Sequence, residues 1–291
     1  MASILPRFFR SVNSMLITTD NIIVEKILKV FLAVSVVFYR NARKKGHESK
    51  DVVIDNFDSN IKMKIDPSRS MGAGIYWTGF HEFREFLFLH RYLKSDMVFA
   101  DVGANQGEYA LFAAKRLSGG QVLAFEPLPS IRTVLHDNIQ LNAFKNITVF
   151  DCGLSNEAGT LQIHEIEDVH EGLATFYPGE RKSRKSFSVP LKTLDDIFKT
   201  ENFNRLDFIK IDIEGGELKA LLGSKRVMQQ YRPVVMIEIN EETYRAAGYS
   251  SQDVAGFFAD LGYQPFTIMK RGRLMKCNTL PAFGNVIYRP Q

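Results

Sequence analysis

The sequence predicts an α/β protein with a mainly parallel seven-stranded sheet, its last strand antiparallel, preceded by an N-terminal helical and β-hairpin extension. Three observations predict it. From residue 96 onward, short apolar runs alternate with stretches of helical period. Those runs are continuously apolar, as in strands covered on both faces. No helical pattern separates the last two runs, so these strands should pair antiparallel, because a parallel pair needs a crossover.

At 291 residues the chain has room for one large or two small domains, and 23 phenylalanines can supply a sizeable core. The net charge of +4 is uneven: residues 1–50 hold nine Lys and Arg against three acids, or +6, leaving −2 for the rest. That balance argues against a nucleic-acid binder by bulk charge. Two cysteines, Cys152 and Cys277, make neither a disulfide framework nor a zinc set, and they fit a reducing, cytoplasmic compartment.

In chain order, Asn21–Tyr39 followed by the basic run Arg40–Lys45 predicts a helix. Its uninterrupted apolar part, Val30–Tyr39, is about ten residues, shorter than a membrane span needs. A signal peptide would carry its charge before the apolar run, not after it. Two placements fit: a helix packed on the rest of the chain, or an interfacial helix with basic flanks making peripheral membrane contact. Val52–Asp66 reads as a β-hairpin turning near Asp58-Ser59-Asn60, Met71–Gly79 as a Gly-rich loop carrying the single Trp77, and Glu82–Leu93 as a helix. Strands are expected at Met97–Val102, Gln121–Phe125, Ile147–Phe150, Leu206–Ile213, Pro233–Ile239, Gln264–Ile268 and Asn285–Tyr288. Helices are expected at Glu108–Leu117, Pro129–Asn142, Glu217–Gln230 and Ser251–Leu261. An insert at about 160–192 reads as a hairpin with a basic tip, Arg181, Lys182, Arg184 and Lys185. The chain thus divides into a basic helical extension (1–50), a hairpin-and-helix lid (51–95) and a ligand-binding sheet domain (96–291).

The richest segment is Val98–Tyr109, V-F-A-D-V-G-A-N-Q-G-E-Y: a strand, a glycine turn and a helix start. Glycine permits positive φ and close approach of backbone to a ligand, and the new helix turns free N–H groups toward the turn. The turn lacks the Lys and Ser/Thr of a P-loop and the third glycine of the dinucleotide fingerprint. Asp101 would repel a pyrophosphate and suit a cationic ligand such as S-adenosylmethionine, with its sulfonium and ammonium. Glu126 closes the next strand, where a carboxylate is placed to bond ribose hydroxyls; the bland alternative is an acid near the start of the following helix. Asp212-Ile-Glu214-Gly215-Gly216-Glu217 closes the strand Leu206–Ile213, and the alternation of a strand would set Asp212 and Glu214 on one face. Lys210 could pair with Asp212. Glu214 and Glu217 could equally serve to cap the helix.

Taken together, Asp101–Gly107, Phe125-Glu-Pro127, Gly153-Leu-Ser155 with Gly159, Thr193-Leu-Asp-Asp196 and Lys210–Glu217 resemble, in order and spacing over roughly residues 80–270, the FkbM family of S-adenosylmethionine-dependent methyltransferases. The resemblance implies a class I, Rossmann-like methyltransferase sheet and O-methylation of a hydroxyl on a sugar, polysaccharide or polyketide-type product. It implies that Asp101, Gly103, Ala104, Asn105 and Gly107 line the methionine end, that Glu126 holds the ribose, and that Asp151–Ser155 lie near the adenine. Ala100 and Asn156 depart from the usual pattern, where a larger β-branched residue and an Asp stand. The first 70 residues fall outside the resemblance.

Transfer from a sulfonium to a hydroxyl needs alignment and a base. Asp212, Glu214 and Glu238 are the candidates, with His81 and His164 as outside ones. A cation bridging Asp212, Glu238 and Asn240 is conceivable on carboxylate chemistry, but no metal is assigned. The acceptor is a small molecule or glycan, not nucleic acid. Trp77, the basic tip and the N-terminal segment are expected to shape its recognition. The rival readings are a non-catalytic protein binding S-adenosylmethionine or S-adenosylhomocysteine on the same sheet, and an NAD-dependent dehydrogenase, which the incomplete fingerprint opposes.

Overall fold

The computed structural model describes residues 4–19, 22–45, 51–166, 174–175 and 183–291. Its centre is an eight-stranded sheet. From one edge to the other the strands are Leu274–Lys276, Tyr263–Ile268, Phe283–Pro290, Val234–Asn240, Phe208–Ile211, Val98–Val102, Gln121–Phe125 and Ile147–Phe150. The five from Val234–Asn240 to Ile147–Phe150 are parallel. Phe283–Pro290 runs antiparallel to both its main neighbours, as the missing crossover helix requires. The short edge strand Leu274–Lys276 is an eighth, beyond the seven expected; it pairs with Tyr263–Ile268 inside a stretch whose basic and turn residues read as a loop.

Both faces of the sheet are covered, and the period-2 alternation decides which side chain goes where. Phe99 and Phe208 stack 5.2 Å apart on one face, in a core with Phe86, Phe112 and Met236. Ala100, Ile209 and Ile211 point the other way, to a core with Phe198, Val235 and Phe258. The hairpin residues Ile54, Phe57, Ile61 and Met63, together with Ile17, belong to the first of these cores. The extension is therefore built onto the sheet rather than tethered to it.

Several boundaries differ from expectation for identifiable reasons. The Gly-rich stretch Met71–Gly79 is not a loop but the helix Ser70–Thr78. A Cβ on Gly72 would lie 2.0 Å from the Asp66 carbonyl oxygen, so the glycine serves close packing of this helix rather than flexibility. The expected helix Glu217–Gln230 is broken into Glu217–Leu222 and Lys225–Tyr231. At the break, a Cβ on Gly223 would meet the Ser155 carbonyl oxygen at 1.9 Å, so the backbone must pass bare. The N-terminal segment forms two helices, Ile4–Thr18 and Ile22–Lys45. The first is tied down by buried polar groups: Arg10 donates to Asn56 Oδ1 (2.7 Å) and to the Tyr76 carbonyl (2.6 Å), and Asn13 donates to Ser35 Oγ (3.1 Å) and the Thr78 carbonyl (2.9 Å). The insert is a small sheet of its own, in which Gly159–Ile166 pairs antiparallel with Ser183–Lys192. Of its basic tip, Arg181 and Lys182 lie outside the described residues.

Candidate active site

The strands Val98–Val102 and Phe208–Ile211 are neighbours in the sheet but far apart in the chain, so their carboxyl ends form the switch point where an open α/β sheet holds its ligand. A cleft of about 810 Å³ opens there. Its floor is the turn after Val102. The chain takes positive φ at Gly103 (83°), Asn105 (49°) and Gly107 (96°), then enters the helix Glu108–Arg116. A Cβ on Gly103 would sit 2.0 Å from the Asp212 carbonyl oxygen; glycine is what lets the two ligand loops touch.

Glu126 locks this turn from the next strand. Its Oε2 accepts from the Asn105 amide (3.0 Å) and its Oε1 from the Leu128 amide (2.9 Å). It is buried on the cleft wall, and burial pushes its carboxyl up to about 7 against the pull of those two amides. Each oxygen accepts one bond and keeps capacity for a second. Gly103, Ala104, Asn105 and Glu126 all line the cleft.

Asp101 and Ser155 are not on that wall. Asp101 shares the Phe99 face of the sheet, 1% exposed, beside Lys210 in the neighbouring strand, and neither of its oxygens has a hydrogen-bond partner. Burial pushes it up to about 6; Lys210 opposes the rise and Asp212 adds to it. Strand alternation thus aims it into the sheet rather than at the turn. Ser155 is buried and donates to Asn156 Oδ1 at 3.2 Å, while Cys152, Gly153 and Leu154 reach the cleft from the same loop. Gly107 lies behind the turn, where a Cβ would meet Leu135 Cδ1 at 2.7 Å.

The acidic end of the cleft comes from three elements. The strand stops at Ile211, so Asp212 and Glu214 are not strand neighbours; Glu214 sits in the left-handed region at φ 53°. The turn nevertheless brings one carboxylate oxygen each of Asp212, Glu214 and Glu238 within 4.8 Å of one another, a spacing that could hold a metal ion. Lys210 Nζ lies 2.9 Å from Asp212 Oδ2, buried, and 4.5 Å from the centre of the Tyr109 ring. Burial alone would lower the Lys210 pKa, but Asp212, Glu82 and Asp101 outweigh it and raise it. Glu238 is held well above the carboxylate range by burial and by the charges of Asp212 and Glu214. Asn240, by contrast, accepts from the Glu242 and Thr243 amides as the cap of a short helix, Glu241–Ala246. Glu217 does not cap its helix, whose N-cap Gly216 carries no side-chain bond; it accepts instead from the Ile213 and Gly215 amides (both 2.9 Å) and from Tyr249 OH (3.1 Å), and so holds the Asp212–Gly216 turn in shape.

Two further acids escaped the sequence reading. Glu108 is buried on the cleft wall, accepts from the His81 amide at 2.8 Å, and is pushed up to about 8 by burial. Glu82 accepts from Tyr109 OH at 2.6 Å and from Asn285. A first-turn glutamate ordinarily reads as a partner of the helix dipole; only the spatial neighbours reveal the difference. His81 lines the cleft, whereas His164 sits in the insert with Nδ1 2.9 Å from Ser186 Oγ. Trp77 is not on the cleft wall; its ring stacks on Phe38 at 5.9 Å, and Ser70 and Met71 of the same helix reach the cleft instead.

Comparison with known proteins gives concordant results. The Methyltransferase FkbM domain matches residues 101–265. The chain is 29% identical over 201 residues to methyltransferase sdnD of Sordaria araneosa, a match covering 59% of this chain and 75% of that protein. It is 26% identical over 169 residues to the hexuronic acid methyltransferase AglP of Haloferax volcanii, covering 57% of this chain and 63% of AglP. A crystal structure of methyltransferase FkbM from Methylobacillus flagellatus superposes with a TM-score of 0.47 at 16% identity, covering 89% of this chain and 59% of that one.

Proposed function

This chain belongs to the FkbM methyltransferase family, and on that footing we propose that it transfers the methyl group of S-adenosylmethionine to a hydroxyl oxygen of a sugar, polysaccharide or polyketide-type natural product. S-adenosylmethionine is the methyl donor, and the residues fit it. The turn needs glycine to meet the Asp212 loop, and the Glu126 carboxylate keeps hydrogen-bonding capacity on the cleft wall. An acidic cleft suits a sulfonium and an ammonium. When bound, the donor supplies a methyl group already activated for displacement.

One observation carries the choice of a hydroxyl acceptor: Asp212, Glu214 and Glu238 converge beside Lys210 at the donor loop. A hydroxyl, unlike an amine, needs a base as it attacks. Asp212 is assigned that role, taking the hydroxyl proton while Lys210 balances its charge. Glu238, whose carboxyl is pushed up toward the protonated form by burial and then by the charges of Asp212 and Glu214, is assigned to orient the acceptor by hydrogen bonding. Glu214 is the alternative base on the same turn. The acceptor oxygen gains the methyl, its proton passes to the carboxylate, and S-adenosylhomocysteine leaves. With Glu82, Glu108, Asp212, Glu214 and Glu238 on the wall, the cleft disfavours an anionic acceptor.

The test is product analysis with isotope-labelled S-adenosylmethionine and a panel of sugars, polysaccharides and hydroxylated natural products. The expected product carries its label on oxygen, with turnover unchanged by a chelator. Label on nitrogen or carbon would overturn the acceptor class. Tight binding of S-adenosylhomocysteine without transfer to any acceptor would favour the non-catalytic reading. Loss of turnover on chelation would assign the three carboxylates to a metal.

A further inference from the structure

The cleft leaves the two N-terminal helices unexplained. Their inner faces are ordinary core: Phe9, Leu16, Ile17 and Leu28 are buried. Their outer faces are not ordinary surface. On Ile22–Lys45, Ile27, Val30, Val34 and Val37 recur at the three- and four-residue spacing of one helix stripe, and all are between 41 and 61% exposed. On Ile4–Thr18, Ile4, Leu5, Phe8 and Met15 are likewise exposed. The two patches are joined by aromatic contacts, Phe8 on Phe31 at 5.6 Å and Phe9 on Phe38 at 5.6 Å. Among the described residues, nine of the sixteen exposed large apolar side chains come from this one helix pair. A contiguous patch of that kind marks an interaction surface rather than scattered surface apolarity.

We propose that this face docks on an anionic lipid bilayer, lying in the interface rather than crossing it. Charge selects the occupant. Residues 1–50 carry +6 against −2 for the rest of the chain. Helical periodicity sets Lys26, Lys29 and Arg40 along one border of the Ile27–Val37 stripe, and the helix ends on Arg43, Lys44 and Lys45. An apolar stripe bordered by cations is the pattern of an interfacial helix. Among the described residues no helix is long and apolar enough to cross a membrane. The pair is also coupled to the cleft: Arg10 and Asn13 hold the carbonyls of Tyr76 and Thr78 at the end of the helix Ser70–Thr78, and Ser70 and Met71 at its start line the cleft. Docking would therefore set the cleft one short helix away from the docked pair, with the Ser70 end of that helix on the cleft wall.

The experiment is co-sedimentation of the full chain with vesicles of phosphatidylcholine alone and of phosphatidylcholine mixed with phosphatidylglycerol. Light scattering is run in parallel without lipid. The expected result is binding to the mixed vesicles that weakens as salt rises, with little binding to the neutral ones. The variant Val30→Glu/Val34→Glu/Val37→Glu should lower partition by at least about tenfold while keeping its affinity for S-adenosylhomocysteine by calorimetry, which shows that the fold survives. Equal binding by the variant, or no binding by the natural chain, overturns the proposal. So does a dimer in solution that the same variant dissociates, since the occupant is then a second copy. Neither calorimetry nor sedimentation depends on identifying the methyl acceptor.

Discussion

The cleft and the N-terminal helix pair break the ordinary rule of burial in opposite directions. On the cleft wall and just behind it, Glu108, Glu126, Lys210 and Glu217 are ionisable groups taken almost wholly out of water. On the helix pair, Ile4, Phe8, Val30 and Val37 are apolar groups left in it. Burying charge is expensive, and it persists where each group is paired or bonded. Here Glu126 and Glu217 hold loop amides, and Lys210 holds Asp212. Leaving apolar surface exposed costs little in the isolated molecule, but it creates a surface awaiting a partner. The cleft is therefore stabilised from within and should be intolerant of change, whereas the helix face should tolerate change until its partner is present.

The sharpest way to break this contrast is at Asp212. Asp212→Asn removes the proposed base and leaves Lys210 unbalanced; kcat should fall by about 10²–10⁴ while S-adenosylhomocysteine still binds. Full turnover in a steady-state assay would strip Asp212 of its role. Next is Lys210→Met, which strands carboxylates that have a single buried cation among them. Unfolding in denaturant should show a loss of about 3–5 kcal/mol, and an unchanged midpoint would mean that the acids are already neutral. Gly103→Ala combines a positive φ with a Cβ 2.0 Å from backbone, so at least about 1–3 kcal/mol of strain should appear as a lower melting temperature and weaker cofactor binding.

A graded effect, of a different kind, follows from pH. Glu126 and Glu217 are raised to about 7 and Glu108 to about 8 by burial. The folded chain then holds protons that the unfolded chain releases above its ordinary carboxylate range near 4.5. Their contribution to stability is complete below that value and is lost as pH rises through 7 to 8, by at most about 1.4 kcal/mol per unit for each group. Melting curves of the cofactor-free protein from pH 5 to 9 should fall in that window; a flat profile would contradict the burial of these acids. The smallest effect is reserved for the helix face: Val30→Ser and Val34→Ser should each shift stability by less than about 0.5 kcal/mol in the absence of lipid. A larger loss would show that the face is packed against something in solution.

Much of this molecule was legible in its residues. Continuous apolar runs ending in Asp101, Glu126 and Asp212, and the glycines that follow, are local signals, because the steric demands of a tight turn act within a few residues. They marked the turns that meet at the cleft, and the family resemblance those motifs carry implied the donor. The errors were also local in origin. Glycines at 72 and 74 suggested a loop because their packing partner, Asp66 for Gly72, is not visible in a propensity. Asp101 was expected at the turn, yet its strand position turns it beside Lys210, whose own strand lies more than a hundred residues on. Glu82 and Glu108 had no signal at all, since a glutamate at a helix start looks the same whether it faces water or a buried tyrosine hydroxyl.

The sequence by itself determined the α/β architecture, the glycine turn at the cleft and the basic, apolar character of the first fifty residues, because each depends on short-range sterics, periodicity or composition. Only the tertiary structure decided which carboxylates meet in the cleft, which of them are buried, and which face of the N-terminal helices is left to solvent. Those are matters of distance and dielectric between elements remote in the chain, and a linear pattern does not hold them.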